Sequence, residues 1–100
     1  MVVPAPTLDI LLLDMHWRPI GRLDRATPWR VVIAASLAAD SRWLALEQGR
    51  ADDSLPCPLP TDITLTRAVR RRLRPLGIDL ADHVIRHPTA SFSFRANGLL

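Results

Sequence analysis

No lysine occurs in this chain: all thirteen basic side chains are arginine, set against ten acidic ones for a formal charge of +3. A basic set made only of arginine points to codon usage in a GC-rich genome before it points to guanidinium chemistry. A charge of +3 permits contact with nucleic acid without demanding it. There is one cysteine, Cys57, which excludes an internal disulfide and fits a reducing cytoplasm. Long apolar runs are also missing. Ile10–Leu13 and Val31–Ala35 fall far short of the roughly 20 residues that cross a bilayer. The N-terminal stretch Met1–Pro6 has no basic start and runs into Asp9 and Asp14, which argues against a signal peptide. No internal repeat, low-complexity tract or linker divides the chain.

What is present describes a folded protein. With 48% hydrophobic residues and moderate charge, the composition favours a globular chain, and 100 residues suffice for one core. A single domain is expected over residues 1–100, with residues 1–7 as a flexible N-terminus. Leu8–Leu13 reads as a strand buried on both faces, His16–Pro19 as a turn, and Ile20–Leu23 as the returning strand. Thr27-Pro28 reads as a helix start, a capping hydroxyl followed by a proline in the first turn. That helix is expected to reach about Ala39, with Val32, Ile33, Leu37 and Trp29 on its apolar side. A third strand is placed at Trp43–Glu47, followed by a stiff loop, Gly49–Pro60, carrying Asp52-Asp53 and prolines at 56, 58 and 60. A second helix should begin near Thr61 and be ended by Gly77, before closing strands around Ile78–Ile85 and Ala90–Arg95. The order β-β-α-β-α-β-β predicts an α/β fold, a mixed sheet packed with two main helices.

The second helix is the most clearly patterned element. Leu65, Val69, Leu73 and Leu76 gather on one side of a helical wheel, and Arg67, Arg70, Arg71 and Arg74 gather opposite. Such a row of arginines is either a phosphate-binding face or the solvated side of an amphipathic helix. The solvated side is the favoured reading, because no aromatic residues are interleaved for base stacking. Asp62 falls near the apolar side of the same wheel, so it should face inward or into a cleft beneath the loop.

Asp62-Ile63-Thr64-Leu65-Thr66-Arg67, then Leu76–Ile85 containing Asp82-His83, then Ser93-Phe94-Arg95 and Gly98-Leu99-Leu100 resemble the C-terminal half of RadC-type proteins of the JAB/MPN superfamily. The likeness is dense over residues 55–100 and looser over 8–50, where Leu11-Leu12-Leu13-Asp14 agrees. It implies a JAB/MPN domain and an association with DNA repair. Active JAMM-type members carry His-x-His, a spacer, Ser-x-x-Asp and an upstream glutamate. There two imidazoles and a carboxylate hold zinc with one position open, the metal acidifies water, and the glutamate is the general base.

Laid on this chain without gaps, Asp62 matches the motif aspartate, while the two histidines fall on Gly49 and Ala51 and the serine on Leu59. The stretch Ala51-Asp52-Asp53-Ser54 replaces the family's His-Pro-Ser-Gly, and Pro58 keeps the proline before the serine position. The one glutamate, Glu47, lies just before the motif and not near the first strand, where Pro6 or its neighbours stand. No histidine occurs anywhere in Trp43–Asp62. One ligand cannot make a zinc hydrolase site. The expected function is therefore a catalytically inactive binding or scaffold module that takes a protein partner or DNA, with no cofactor and no catalytic residue. The alternative is a zinc-dependent JAMM-type metallohydrolase or isopeptidase whose site is completed by unexpected ligands. The intact apolar periodicity speaks against a decaying sequence.

The remaining constellations read as structural. His83 and His87 are four apart on a strand, about 13 Å, which argues against joint ligation, and His83 is expected to make structural hydrogen bonds. His16 beside its turn should be solvated, as should Asp52-Asp53. Nothing positions Cys57 against His83 as a nucleophile and base. Trp17, Trp29 and Trp43 read as core or edge packing, with Trp17-Arg18 as a possible exposed contact point.

Overall fold

A computed structural model describes residues 7–50 and 56–100 of the protein. It contains β1 (Thr7–Leu13), β2 (Pro19–Asp24), α1 (Trp29–Ala38), β3 (Trp43–Gly49), α2 (Pro60–Leu73), β4 (Asp79–His87) and β5 (Ala90–Ser93), with one 3-10 turn, Arg74–Leu76, between α2 and β4. The element order is the one the sequence pattern predicts. Thr7, expected within a flexible lead-in, is already the first residue of β1, paired with Gly49 of β3.

The five strands form one sheet in the order β2-β1-β3-β4-β5. β1 runs antiparallel to both β2 and β3, β3 and β4 are parallel, and β5 returns antiparallel to β4. The parallel pair requires a crossover, which α2 supplies. The β3–β4 register shifts between Leu44 and Ala45, so that Leu44 pairs with Leu80 and Ala45 with Asp82. This bulge accommodates Ala81 as an extra residue and lets Leu80 and His83 share one face.

Both helices pack on that face. Ile10, Leu12, Leu44, Leu46 and Leu80 from the sheet meet Val32 of α1 and Val69 and Leu73 of α2. On the other face Leu11, Leu13, Ala45 and Ala81 form a smaller cluster against Trp43. The Trp43 ring lies 5.4 Å from that of Trp17, over which the Arg95 guanidinium sits at 5.0 Å. Trp17 therefore contacts Trp43 and Arg95. Among the described residues no helix is long and apolar enough to cross a membrane.

Three local expectations are corrected. Thr27 does not cap α1: Pro28 is the N-cap, its carbonyl accepting from the amides of Val31 and Val32, and no side chain caps the helix. Leu37 is 69% exposed, because the stripe of α1 that meets the sheet is Val32, Ala35 and Ser36, and Leu37 lies about 140° from Val32. Leu76 is also exposed, since α2 tightens into a 3-10 turn after Leu73 and the wheel advances by more than 100° per residue there. Gly77 then ends the helical run in the left-handed region (φ 72°), and the Ile78 amide reaches back to the Leu73 carbonyl at 3.3 Å.

Candidate functional site, a polar chain around Asp62

Asp62 stands at the third position of α2, where a carboxylate suits the positive end of the helix. Pro60 fixes the first turn, Leu59 is the N-cap, and the Leu59 amide donates to Asp62 Oδ2 at 2.7 Å. The carboxylate therefore points back under the loop, buried as its wheel position predicted. Two residues from the end of β3 reach it. The Arg50 guanidinium donates to Oδ2 at 2.7 Å, and the Gln48 amide nitrogen donates to Oδ1 at 3.1 Å. The Arg50–Asp62 pair is largely shielded, with side chains 11% and 8% exposed, and borders a recess of about 340 Å³. Arg50 also donates to the Cys57 carbonyl, which ties the loop to the same centre.

The chain continues inward. Gln48 Oε1 lies 2.8 Å from His83 Nε2, and His83 Nδ1 lies 2.5 Å from Thr66 Oγ1. Thr66, one turn after Asp62, is also 2.9 Å from the Asp62 carbonyl. His83 is fully buried and stacks on Phe94, ring centroids 4.5 Å apart. Its expected structural hydrogen-bonding role is what the geometry shows.

Donor and acceptor bookkeeping orients Gln48 and sets the Nε2 side of His83. The carboxylate can only accept, so Gln48 presents its nitrogen to Asp62 and its oxygen to His83, and His83 must donate from Nε2. In the neutral imidazole Nδ1 is an acceptor, and the Thr66 hydroxyl, which donates to the Asp62 carbonyl at 2.9 Å, can serve it only by sharing that one proton. Burial holds the His83 pKa below the usual imidazole value, outweighing the opposing charges of Asp62 and Asp82, and the Arg50 cation adds to the lowering. For Asp62 burial pushes upward, but the Leu59 amide, the Gln48 amide and Arg50 together hold the carboxyl below the usual range. The neutral imidazole and the ionised carboxylate are thus both favoured.

Strand alternation decides which residues face Asp62. Gln48 and Arg50 both reach it, so Gly49 between them points to the opposite face. A Cβ built on Gly49 would lie 2.6 Å from Thr7 Oγ1. Side chains at 48 and 50 therefore occupy the positions facing Asp62, and the gap-free placement of the motif on Gly49 is one residue out of phase with them. Leu59, at the serine position, contributes its amide and leaves its side chain half exposed. Ala51, Asp52-Asp53, Ser54 and Pro6 lie outside the described residues.

Glu47 faces away from Asp62, with Ala45 and Gly49. It pairs with Arg22 at 3.2 Å and Arg86 at 3.2 Å, and Arg22 also holds Asp9 at 2.6 Å. It is held on the opposite surface of the sheet and is no base for this site. Cys57 is exposed whereas both His83 nitrogens are engaged, so the two form no nucleophile–base pair. Among the described residues His87 hydrogen-bonds Thr89, and His16 is exposed in the β1–β2 turn. Arg67, Arg70, Arg71 and Arg74 are all exposed on the outer side of α2. Gln48, Arg50 and Thr66 were not singled out from the sequence. The signal that could have found the first two is a Gln-x-Arg pair continuing the inward phase of Leu44 and Leu46.

The described residues do not fit zinc. Asp62 already accepts from three donors, one of them a cation at 2.7 Å, and no group of three His, Cys, Asp or Glu able to hold a metal occurs among the described residues. A site of this kind needs three donors before water completes the shell.

A five-stranded mixed sheet with α2 crossing between parallel strands, and an aspartate at that helix's start facing the end of β3, is the frame of a JAB-type domain. The family model described as RadC-like JAB domain matches residues 13–99, and the chain belongs to that family. No curated protein matches the chain.

Proposed function

We propose that this RadC-like JAB domain is catalytically inactive and serves as a binding or scaffold module, with Arg50 supplying the positive charge that zinc supplies in active relatives. The observation that carries the reading is the largely buried Arg50–Asp62 ion pair, with Gln48 and the Leu59 amide also donating to the carboxylate. A guanidinium neutralises a carboxylate permanently but has no open coordination position, so it cannot acidify water. Gln48 and Arg50 take the positions of this segment that face Asp62, and neither is a zinc ligand of the expected type. In this reading the module holds no cofactor, works in the cytoplasm, and serves DNA repair on the strength of the family resemblance.

A thermal-shift titration of the full chain with zinc tests it. Zinc at 100 times its dissociation constant would stabilise a specific site by about 2.7 kcal/mol, or roughly 10–20 °C for a domain of this size. The proposal expects no rise in Tm. A rise that Asp62→Ala abolishes would overturn it in favour of a zinc-holding site.

A further inference from the structure

The positive charge of this protein is segregated. Residues 63–76 carry five arginines and no acid, which leaves eight arginines against ten acids in the rest of the chain. The net positive charge therefore resides on α2 and the turn after it. None of these five arginines forms an ion pair among the described residues, in contrast to Arg22, Arg50 and Arg86. Arg67, Arg70, Arg71 and Arg74, with Pro75, line a shallow recess of about 420 Å³. A recess walled by four exposed guanidiniums is suited to phosphate, which each can engage with two N–H groups.

The structure also supplies the aromatic residue that the helix sequence lacks. Trp29, at the start of α1, lies across from α2 with the Arg72 guanidinium 5.8 Å from its ring centroid. It lines a second groove of about 450 Å³ with Leu65, Ala68, Arg71 and Arg72. Arg71 borders both recesses, so the arginine recess and the tryptophan groove are one continuous surface. Guanidinium groups beside an indole are the pairing that single strands use, phosphates on the cations and a base on the ring. Over Pro60–Leu73 the leucines and valines face inward or are half-buried, so this face lacks the apolar side of a helix that lies in a membrane surface.

We propose that the surface of α2 from Arg67 to Arg74, bordered by Trp29, binds single-stranded nucleic acid. The site lies on the solvent side of α2 and does not depend on the state of Asp62. Binding is measured by the fluorescence anisotropy of a labelled oligothymidine of about 12 nucleotides, against the full chain, as salt is raised from about 50 to about 200 mM. Four neutralised phosphates give a log–log salt slope of about −2.8 and an affinity loss of roughly fifty-fold over that range. Arg70→Gln with Arg71→Gln should lower the slope magnitude by about 1.4, whereas Arg18→Gln with Arg42→Gln, an equal loss of charge on other exposed positions, should leave it unchanged. Trp29→Leu should reduce affinity several-fold without altering the slope, with circular dichroism confirming the fold. Equal slope changes in the two double variants, tighter binding of duplex than of single strand, or stronger competition from a polyglutamate peptide or anionic vesicles than from unlabelled oligothymidine would each overturn the proposal.

Discussion

Replacing Arg50 with methionine removes the cation beside Asp62 while keeping most of the buried aliphatic stem. Removing one partner of a buried ion pair costs about 3–5 kcal/mol when the other is left unpaired. Asp62 would keep the Leu59 amide at 2.7 Å and the Gln48 amide at 3.1 Å, so the expected loss is smaller, about 2–3 kcal/mol. For a domain of this length that is a fall in Tm of roughly 10–20 °C. The Asp62 carboxyl, no longer held down by the guanidinium, should also protonate at higher pH, moving the acid limb of the stability curve upward. Urea melts of Arg50→Met, Asp62→Asn and the double variant measure the coupling, expected at about 1–3 kcal/mol. An Arg50→Met variant within about 0.5 kcal/mol of the parent, or single losses that simply add, would refute the assignment of Arg50 as the charge partner of Asp62.

Further outcomes are expected. His83 is held neutral in the fold, so below its ordinary value near pH 6.5 the unfolded chain binds a proton that the native protein does not. Stability should be flat above that pH, fall as pH drops toward the lowered native value, and then level; urea melts between about pH 7 and pH 5 check this, with His83→Gln removing the slope. At lower pH the depressed Asp62 adds a second loss as pH falls from the ordinary carboxylate range through its native value. Phe94→Ala removes a ring that is 1% exposed and stacked on His83, and should cost about 3–5 kcal/mol by denaturant melt. Gly77→Ala meets no neighbouring atom but must hold φ near 72°, so it should cost about 1 kcal/mol in the same assay through backbone strain alone.

Much of the fold was legible because local signals agreed with tertiary demand. The run Leu8–Leu13 and the Pro60–Gly77 punctuation each marked an element that packs as its pattern suggests, whereas the strand read over Ala90–Arg95 ends at Ser93 and its burial does not alternate. Asp62 was legible too, since its wheel position alone turned it inward. The failures came where a neighbour decides. Leu37 and Leu76 look like core residues until the stripe that meets the sheet, and the tightening after Leu73, place them outside. Thr27 has a capping hydroxyl, yet Pro28 takes the cap position with its own fixed backbone. Gln48 and Arg50 escaped notice because a gap-free motif alignment looks at Gly49 and Ala51, while the side chains that face Asp62 are set by the phase of β3. Trp29 reaches the arginine face from α1, a contact that no reading of α2 alone could contain.

The proposed inactivity turns on the Arg50 guanidinium engaging the Asp62 carboxylate. Its most direct test is the metal content of the full chain purified from zinc-supplemented cells and measured by elemental mass spectrometry. The result predicted is zinc far below one equivalent per chain and unchanged by Asp62→Ala. Zinc near one equivalent, lost on Asp62→Ala, would contradict it.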